Sequence, residues 1–327
     1  MLAETLPQAA FQPFGRVAII GLGLMGGSIA AAIKARGLAA QVVAFDQSSV
    51  ELAIGLEMGL IDVAAGSVAA AAEQADLVMM AVPVLAMEAV LVALAGSVSG
   101  DAIITDVGSV KAPLLAAARR CAPALLPRLV PGHPIAGSEQ HGVKASNPAL
   151  FVRHQVILTP VAETEPRVVR RLADFWQAAG ADVVEMSPEH HDAVLAQTSH
   201  LPHLLAYALI DTLSMQGDSL QIFEYAAGGL RDFSRIAASD PVMWRDIYQA
   251  NSGPVLAILD RYMAALQDLR GMIELGQADD LVAVFTRAKS ARDHFSAVLS
   301  RRAARDTTTA ATLPTAKTAP VGREELL

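Results

Sequence analysis

The chain has 327 residues, of which 53% are hydrophobic, and a formal net charge of −8 at pH 7. That length and apolar content allow two soluble domains, each with its own core. The acidic balance and the lack of a long basic cluster argue against a nucleic-acid groove or an anionic membrane surface, so the expected partner is a small molecule. Cys121 is the only cysteine, which excludes an intrachain disulfide and favours the reducing cytoplasm.

Residues 1–15 are predicted to be a loose leader, because they lack the basic start and the sustained apolar core of a signal peptide. Two apolar stretches, residues 17–33 and 77–98, are better explained as buried strand–helix pairs than as membrane spans. We therefore expect neither a nucleic-acid partner nor a membrane partner.

A glycine-rich turn joins the first predicted strand, residues 17–20, to an Ala-rich predicted helix, residues 27–36. The turn is the predicted cofactor loop, and it consists of Gly21, Leu22, Gly23, Leu24, Met25 and Gly26. Its first glycine would allow the tight turn, its second would let a pyrophosphate approach the backbone, and its third would let helix and strand pack closely. The free N–H groups of the helix would then face the phosphates.

A second predicted strand, residues 41–45, is followed directly by Asp46. A carboxylate there can accept hydrogen bonds from an adenosine ribose hydroxyl and would repel a 2′-phosphate, which favours NAD over NADP. Glycines at a helix start often reflect only turn chemistry. The strand before, the helix after and the acid at the right distance together make NAD binding the preferred interpretation.

Strands and helices are predicted to alternate through the first half of the chain, which favours a Rossmann-type doubly wound parallel sheet. Ligands of such sheets bind at the carboxyl ends of the strands, where Val82, Pro83 and Ser109 lie. The remaining predicted strands are a minor strand entered from the turn at residues 59–62, and residues 76–82, 102–107, 151–159 and 181–186; residues 128–130 form a further apolar run.

From Ser187 and Pro188, a good N-cap and first helical residue, only helices are predicted. We therefore divide the chain into a dinucleotide-binding domain at residues 16–187 and an all-α domain at residues 188–302. Residues 303–327 are rich in Thr, Ala and Pro and are predicted to be a disordered tail.

His133 lies between prolines and glycines in the segment PGHPIAG. Such a setting leaves the histidine little local freedom, which suits a catalytic group that must be aimed. Structural turns also carry histidines, so the spacing alone leaves both interpretations open.

His200 and His203 lie on one face of a long predicted helix, which Pro202 should kink near them. Two histidines and a proline inside an apolar helix are hard to justify by stability, so the pair is a candidate for substrate binding. The alternative is that backbone carbonyls satisfy both rings. A metal site is not expected, because the histidines lack the spacing of zinc-binding helices.

Arg231 and Arg235 follow a predicted glycine turn at residues 228–229. Arginine is well shaped to bind a carboxylate through two parallel charge-assisted hydrogen bonds. Either arginine could instead form a surface ion pair with Asp232 or Asp240.

Several segments occur together and in order along the chain: GLGLMGGSIA, AFD, AVPV, TDVGSVK, GHPIAGSE, TSHLPH and GGLRDFSRIAASDPVMWRDI. This combination resembles the prephenate/arogenate dehydrogenases (cyclohexadienyl dehydrogenases) of tyrosine biosynthesis. The glycine motif is common to many enzymes, whereas GHPIAGSE and the last segment are far more specific.

The resemblance implies an N-terminal NAD domain, an all-α C-terminal dimerisation domain that forms an intertwined homodimer, and a substrate cleft between them. It also implies the reaction. NAD+ takes a hydride from the hydroxyl-bearing ring carbon of prephenate, carbon dioxide leaves, and the product is 4-hydroxyphenylpyruvate. Arogenate, which would give tyrosine, remains open as the substrate, as does a dual specificity.

Roles for single residues also follow from the resemblance. His133 matches the histidine that polarises the ring hydroxyl, and Ser109 matches the serine beside it and the nicotinamide. Arg235 matches the arginine that binds the ring carboxylate, and His203 matches the histidine near the substrate side chain. Three further residues are expected near the site, the first in a supporting role: His200, Glu139 and Trp244.

Two other functions compete with this interpretation. A β-hydroxyacid dehydrogenase or imine reductase shares the glycine turn and a helical second domain, but it should present a catalytic lysine or aspartate after a glycine-rich block, which we do not find here. A non-catalytic NAD-binding module would need no polar cluster in the second domain. His133, His203 and Arg235 argue against such a module.

Overall fold

The computed structural model describes residues 11–137, 140–217 and 219–310. Its contacts divide the chain into two compact units, Met1–Asp260 and Arg261–Leu327. The first unit contains both β-sheets and every candidate site residue that the structure describes. This division differs from the predicted boundary between residues 187 and 188, which stays a prediction.

A six-stranded, entirely parallel sheet forms the centre of the first unit. Its strands are β1 (Phe14–Ile20), β2 (Ala39–Phe45), β3 (Val63–Ala64), β4 (Leu77–Met80), β5 (Ile103–Asp106) and β6 (Leu129–Val130). The spatial order β3-β2-β1-β4-β5-β6 is that of the doubly wound dinucleotide-binding fold. The Rossmann-type prediction is therefore confirmed, and the ligand crevice of this topology lies at the carboxyl ends of β1 and β4.

Helices cover both faces of this sheet. They are α1 (Leu24–Arg36), α2 (Ser49–Glu57), α3 (Val68–Ala72), α4 (Met87–Leu94) and α5 (Ala112–Cys121). Ile19 of β1 belongs to an apolar cluster that also contains Ile29 of α1, whereas Ile20 belongs to a second cluster with Leu91 of α4. Because successive side chains of a strand point to opposite faces and both faces are covered, the strands are continuously apolar.

Strand β1 begins at Phe14 rather than at residue 17, so residues 14–15 of the predicted leader lie in a strand. Phe14 is buried, and its ring packs edge-on against the ring of Phe11, with centroids 6.0 Å apart. Residues 1–10 of the predicted leader lie outside the described residues.

A second, three-stranded sheet follows in the chain, formed by β7 (Gly132–Pro134), β8 (Gln155–Leu158) and β9 (Asp182–Glu185). Strand β7 pairs antiparallel with β8, which places His133 opposite Ile157, and β8 pairs parallel with β9. Helix α6 (Pro166–Ala178) connects the last two strands. The sequence predicts β8 and β9 but no strand at β7, where its glycine and proline are locally typical of a turn. The structure adds this strand, and proline is tolerated in it because β7 lies at the edge of its sheet.

Beyond β9 the described part of the chain is helical, as predicted. The helices are α7 (Pro188–Leu195), α8 (Leu201–Ser214), α9 (Ser219–Glu224), α10 (Gly228–Ser234), α11 (Pro241–Ala250), α12 (Ser252–Glu274) and α13 (Ala278–Ala310). Helix α10 begins where only a glycine turn was predicted, so that prediction is wrong. Helix α13 passes the predicted domain end at residue 302, and residues 311–327 of the predicted tail lie outside the described residues. None of the described helices combines the length and apolarity that a membrane crossing requires.

A π turn, Ala196–His200, joins α7 to α8 without a break in the helix. It lies directly before Pro202, where the sequence predicts a kink. Proline lacks the N–H that an α-helix uses at that position, and a π turn is one way in which a helix accommodates the gap.

Candidate active site

The glycine loop after β1 has the shape that a dinucleotide requires. Gly21 has a φ of 97°, and a Cβ there would lie 2.4 Å from the carbonyl oxygen of Ala81. A Cβ at Gly26 would lie 1.9 Å from the carbonyl oxygen of Gly21, so α1 and the loop pack too closely for any side chain. Nothing lies within 4 Å of the Cβ position of Gly23, and the first turn of α1 has no side-chain cap. These residues therefore fit a pyrophosphate at the helix N-terminus.

Asp46 lies beside this loop and is oriented by it. Its Oδ2 accepts a hydrogen bond from the backbone N of Leu22 at 2.6 Å, and its Oδ1 accepts one from the backbone N of Ser48 at 2.7 Å. The side chain of Leu22 is fully buried, so this predicted cofactor residue acts here by orienting the acid. A cleft of about 450 Å³ opens at this edge of the sheet, and its lining includes Gly21, Gly23, Asp46, Val82 and Pro83.

A chain of hydrogen bonds begins at His133 on β7. Its Nδ1 lies 2.9 Å from Nε2 of His191, and Nδ1 of His191 lies 2.7 Å from Oδ1 of Asp192. Asp192 in turn accepts hydrogen bonds from the backbone N of Lys111 at 2.9 Å and of Ala112 at 2.8 Å. The carboxylate of Asp192 on α7 therefore caps the N-terminus of α5. The same carboxylate is connected to His133 through the imidazole ring of His191.

Both imidazole rings are neutral near pH 7. The pKa of His133 lies well below the ordinary value, mainly because the ring is buried and next because Lys111 is positively charged, with smaller contributions from His191 and His200. Burial also lowers the pKa of His191, although the hydrogen bond to Asp192 opposes that shift. Because Asp192 can only accept, His191 carries its proton on Nδ1 and accepts at Nε2. His133 must therefore donate from Nδ1, which leaves its Nε2 as an acceptor.

A buried ion pair fixes β7 against the loop that carries Ser109. Lys111 and Asp106 have no exposed side-chain surface, and the Lys111 ammonium donates to Asp106. The ammonium also donates to the carbonyl oxygen of Gly132 at 2.7 Å, while Asp106 accepts from the backbone N of Gly132 at 3.1 Å and of Gly108 at 2.8 Å. Burial lowers the pKa of Lys111, and the charge of Asp106 opposes that shift.

His203 and Trp244 form the aromatic side of the candidate site. Their rings stack with centroids 3.8 Å apart and planes 24° apart, and Nδ1 of His203 donates to the carbonyl oxygen of Ser199 at 2.9 Å. The pKa of His203 is lowered, first by burial and also by the charge of Arg235, with the Ser199 hydrogen bond opposing the shift. Arg235 itself is exposed at the start of a 3₁₀ turn after α10.

His200 lies deeper than His203 and is fixed by Asn251. The amide nitrogen of Asn251 donates to the carbonyl oxygen of Asp192 at 2.9 Å and to Nδ1 of His200 at 3.0 Å. His200 therefore carries its proton on Nε2, which is buried and has no hydrogen-bond partner in the described part of the chain. Nε1 of Trp244 is also buried and also has no hydrogen-bond partner among the described residues. The predicted alternative, rings satisfied by backbone carbonyls, thus holds only for Nδ1 of His203.

The remaining predicted site residues have simpler surroundings. Ser109 is half-buried in the loop between β5 and α5, and the neighbouring Val110 packs with Trp244 in one apolar cluster. Leu24 and Met25 form the first turn of α1. Glu139 lies outside the described residues, so its predicted place near the site stays a prediction.

Sequence reasoning placed Asp106 at a ligand-binding strand end without a role, and it missed four other residues that order this region: Lys111, His191, Asp192 and Asn251. A signal existed for Lys111, because it belongs with Asp106 to the segment TDVGSVK at the carboxyl end of a predicted strand. His191 and Asp192 directly follow a helix start and a second histidine, and nothing in the sequence distinguishes the buried ring from the exposed one.

The fold and the cofactor cleft define a dinucleotide-dependent dehydrogenase of the doubly wound class. Comparison with known proteins identifies the family. The sequence model of the prephenate dehydrogenase nucleotide-binding domain matches residues 29–185, and that of the prephenate dehydrogenase dimerization domain matches residues 187–287. The chain belongs to the prephenate dehydrogenase family and is a NAD-dependent oxidoreductase.

Individual relatives match over most of the chain. Cyclohexadienyl dehydrogenase of Zymomonas mobilis is 40% identical over 281 residues, 85% of this chain and 95% of that protein. Prephenate dehydrogenase of Bacillus subtilis is 36% identical over 279 residues, 85% of this chain and 75% of that protein. The crystal structure of prephenate dehydrogenase from A. aeolicus with hydroxyphenyl propionate and NAD+ has 34% identity and a TM-score of 0.81, covering 87% of this chain and 99% of that one.

Proposed function

We propose that this protein oxidises and decarboxylates prephenate with NAD+, giving 4-hydroxyphenylpyruvate, carbon dioxide and NADH. The named activities of its relatives in Bacillus subtilis and Zymomonas mobilis support this reaction. The name cyclohexadienyl dehydrogenase also supports arogenate, with tyrosine as the product, as the alternative substrate. In this proposal residues 16–187 bind the cofactor and residues 188–302 complete the substrate site.

The observation that carries the proposal is the orientation of His133. Its Nδ1 is bound to His191, which leaves Nε2 free to accept a hydrogen bond. When a hydroxyl-bearing ring carbon loses hydride, the hydroxyl must also lose its proton, and a neutral imidazole nitrogen is a suitable acceptor. Bound NAD+ supplies the hydride acceptor. Ser109, in the loop held by Asp106 and Lys111, would help to orient His133 and the nicotinamide.

The second side of the site supplies groups for the carboxylates and the side chain of the substrate. Arg235 is the cation that we assign to the ring carboxylate, because its fork of donors matches a carboxylate. The charge of Arg235 also lowers the pKa of His203, which we assign to the substrate side chain. Nε2 of His200 and Nε1 of Trp244 are buried donors, and an unpaired buried donor costs about 1–3 kcal/mol. Oxygen atoms of the substrate side chain would relieve that cost.

The direct test mixes the purified protein with NAD+ and prephenate and follows the near-ultraviolet absorbance of NADH. We expect a rise with prephenate, and a parallel assay with arogenate decides between the two substrates. The same assay with NADP+ tests the role of Asp46, which should make NAD+ the better cofactor. If neither prephenate nor arogenate gives NADH, the proposed function is wrong.

We also propose that the protein is a cytoplasmic homodimer formed through its helical region. The match to a dimerization domain supports a self-associating helical region. Within Arg261–Leu327, several large apolar side chains are exposed, among them Leu266, Ile273, Leu275, Val282 and Phe285, and burial of such side chains against a second copy would stabilise a dimer. Light scattering should give twice the chain mass of 34.2 kDa.

A further inference from the structure

His133 and its partners belong to different parts of the first unit. His133 lies on the three-residue edge strand β7, whereas His191 and Asp192 lie on α7, the first helix after the second sheet. The ring of His191 is fully buried, and its centroid lies 5.1 Å from that of His133 in an edge-on arrangement. Burying a histidine and an aspartate side by side is costly unless both are hydrogen-bonded. Every polar atom of the His191 ring has a partner in this chain of bonds.

The charges around the two rings are unequal. The pKa of His133 is lowered by burial and next by the charge of Lys111, with His191 and His200 acting in the same direction. Lys111 also lowers the pKa of His191. There, however, the hydrogen-bonded Asp192 and the nearby Asp106 oppose the lowering. A proton is therefore better accommodated on His191 than on His133.

We propose that His191, supported by Asp192, is a positioning residue and proton acceptor for His133. In the ground state His191 accepts the hydrogen bond that Nδ1–H of His133 donates. This keeps Nε2 of His133 as the acceptor for the substrate hydroxyl. During the reaction the substrate O–H bond breaks and an N–H bond forms at Nε2 of His133. The Nδ1–H bond of His133 then breaks, and a new N–H bond forms at Nε2 of His191. The hydride goes to NAD+, and the positive charge rests on His191 beside Asp192.

This inference rests on the proposed function, because it concerns the proton that the oxidised hydroxyl releases. It adds a second proton transfer, which places the positive charge beside the carboxylate of Asp192. The same logic orients the histidine of hydrolase triads, where a carboxylate fixes the tautomer and stabilises the charged ring. Here a second imidazole is placed between the carboxylate and the reacting ring.

The kinetic test uses His191→Gln, whose amide oxygen can still accept the Nδ1–H of His133 but cannot hold a proton. We expect kcat to fall roughly 10- to 100-fold, with KM for the substrate and the dissociation constant of NAD+ nearly unchanged. Wild-type kcat in mixtures of H₂O and D₂O should depend on the deuterium fraction with curvature, because two protons move, and the dependence should become linear in the variant. His190→Gln, at the exposed neighbour on the same helix, should leave all these quantities unchanged.

A second measurement does not depend on the variant folding. Nitrogen NMR of ¹⁵N-histidine-labelled wild-type protein reports which ring nitrogen carries each proton, and we expect Nδ1 to be protonated in both His133 and His191. A proton on Nε2 of His133 would overturn the inference. So would a His191→Gln enzyme with wild-type kcat, or one changed only in KM. If the wild type oxidises neither substrate, the proposed function fails, whereas the tautomers can still be as inferred.

Discussion

Lys111 and Asp106 form an ion pair with no exposed side-chain surface, and the backbone of Gly132 is hydrogen-bonded to both side chains. The pair therefore links β5, the start of α5 and the strand that carries His133. The fold depends on both partners being present, because a buried charge without its partner destabilises the folded state far more than the intact pair does.

Replacing Lys111 by Met should lower the free energy of unfolding by about 3–5 kcal/mol, because it leaves the Asp106 carboxylate buried and unpaired. The measurement is urea unfolding at neutral pH. The double variant Lys111→Met, Asp106→Asn removes both charges and should be more stable than the single variant. If the double variant is the less stable of the two, the pair does not act as a charge-compensated unit.

Two glycines of the cofactor loop should respond differently to alanine. A Cβ at Gly23 meets nothing within 4 Å, and the φ of −78° suits alanine, so Gly23→Ala should fold normally. It should weaken NAD+ binding at least about 10-fold, because the methyl group occupies the space beside the pyrophosphate. Gly26→Ala should instead lower the melting temperature, because its Cβ would lie 1.9 Å from a carbonyl oxygen. Calorimetry of NAD+ binding and thermal unfolding separate the two effects.

His200 should make the stability depend on pH. Its burial lowers its pKa from 6.5 to about 4, so the unfolded chain takes up a proton at a higher pH than the folded protein. The stabilising contribution of neutral His200 is present above pH 6.5 and is lost as the pH falls toward 4. The loss amounts to about 3 kcal/mol. Unfolding measured across this window should show a weaker pH dependence for His200→Gln, whereas the exposed control His154→Gln should match the wild type.

Replacing His133 by Asn should lower kcat far more than it raises KM. Its Nε2 gains strength as an acceptor only while the hydroxyl becomes a carbonyl, so the loss is concentrated in the transition state. A fall in kcat of roughly 10²–10⁴-fold is expected, measured as initial rates of NADH formation. A variant with a raised KM and a normal kcat would assign His133 to substrate binding alone.

Arg235→Gln should act mainly on KM. Arg235 is exposed, so its interaction with a carboxylate is partly screened by water, and we expect a loss of about 1–2 kcal/mol of binding, roughly 10-fold in KM. Arg231→Gln, four residues earlier on α10, is the matched control. Equal effects of the two substitutions would show that the general positive charge of this segment matters and not the position of Arg235.

The parts of the fold that sequence predicts are those with local signals. The strands around Gly21 and Asp46 combine an apolar run, a glycine turn and an acid, all within one strand–helix–strand unit. Strand β7 has no such signal, because its three residues become a strand only by pairing with β8, which lies much later in the sequence; Gly132, for example, pairs with Leu158. Its proline and glycine are locally typical of a turn, and only the tertiary partner decides otherwise.

The candidate site divides in the same way. His133, His203 and Arg235 belong to distinctive segments, so they could be selected from sequence. The role of His191 depends on which face of α7 meets the start of α5, a packing relationship that one sequence does not contain. The sequence does not mark Lys111 as a buried residue, because lysine is almost always exposed. Its burial is set by Asp106 and by the backbone of Gly132.

The π turn between α7 and α8 has a consequence for the tolerance of this region to change. One residue of an α-helix corresponds to a rotation of about 100°, and the wider π turn takes up one extra residue locally, so that α7 and α8 keep the phase of one continuous helix. Removing one residue of Ala196–Ser199 would convert the π turn into an ordinary helical turn and leave His203 facing Trp244, whereas a second deletion there would have no extra residue to absorb it and would rotate His203 by about 100° relative to His191. The segment should therefore tolerate the loss of one residue better than an unbroken helix does, and a single-codon deletion there should be less damaging than the same deletion in the middle of α8.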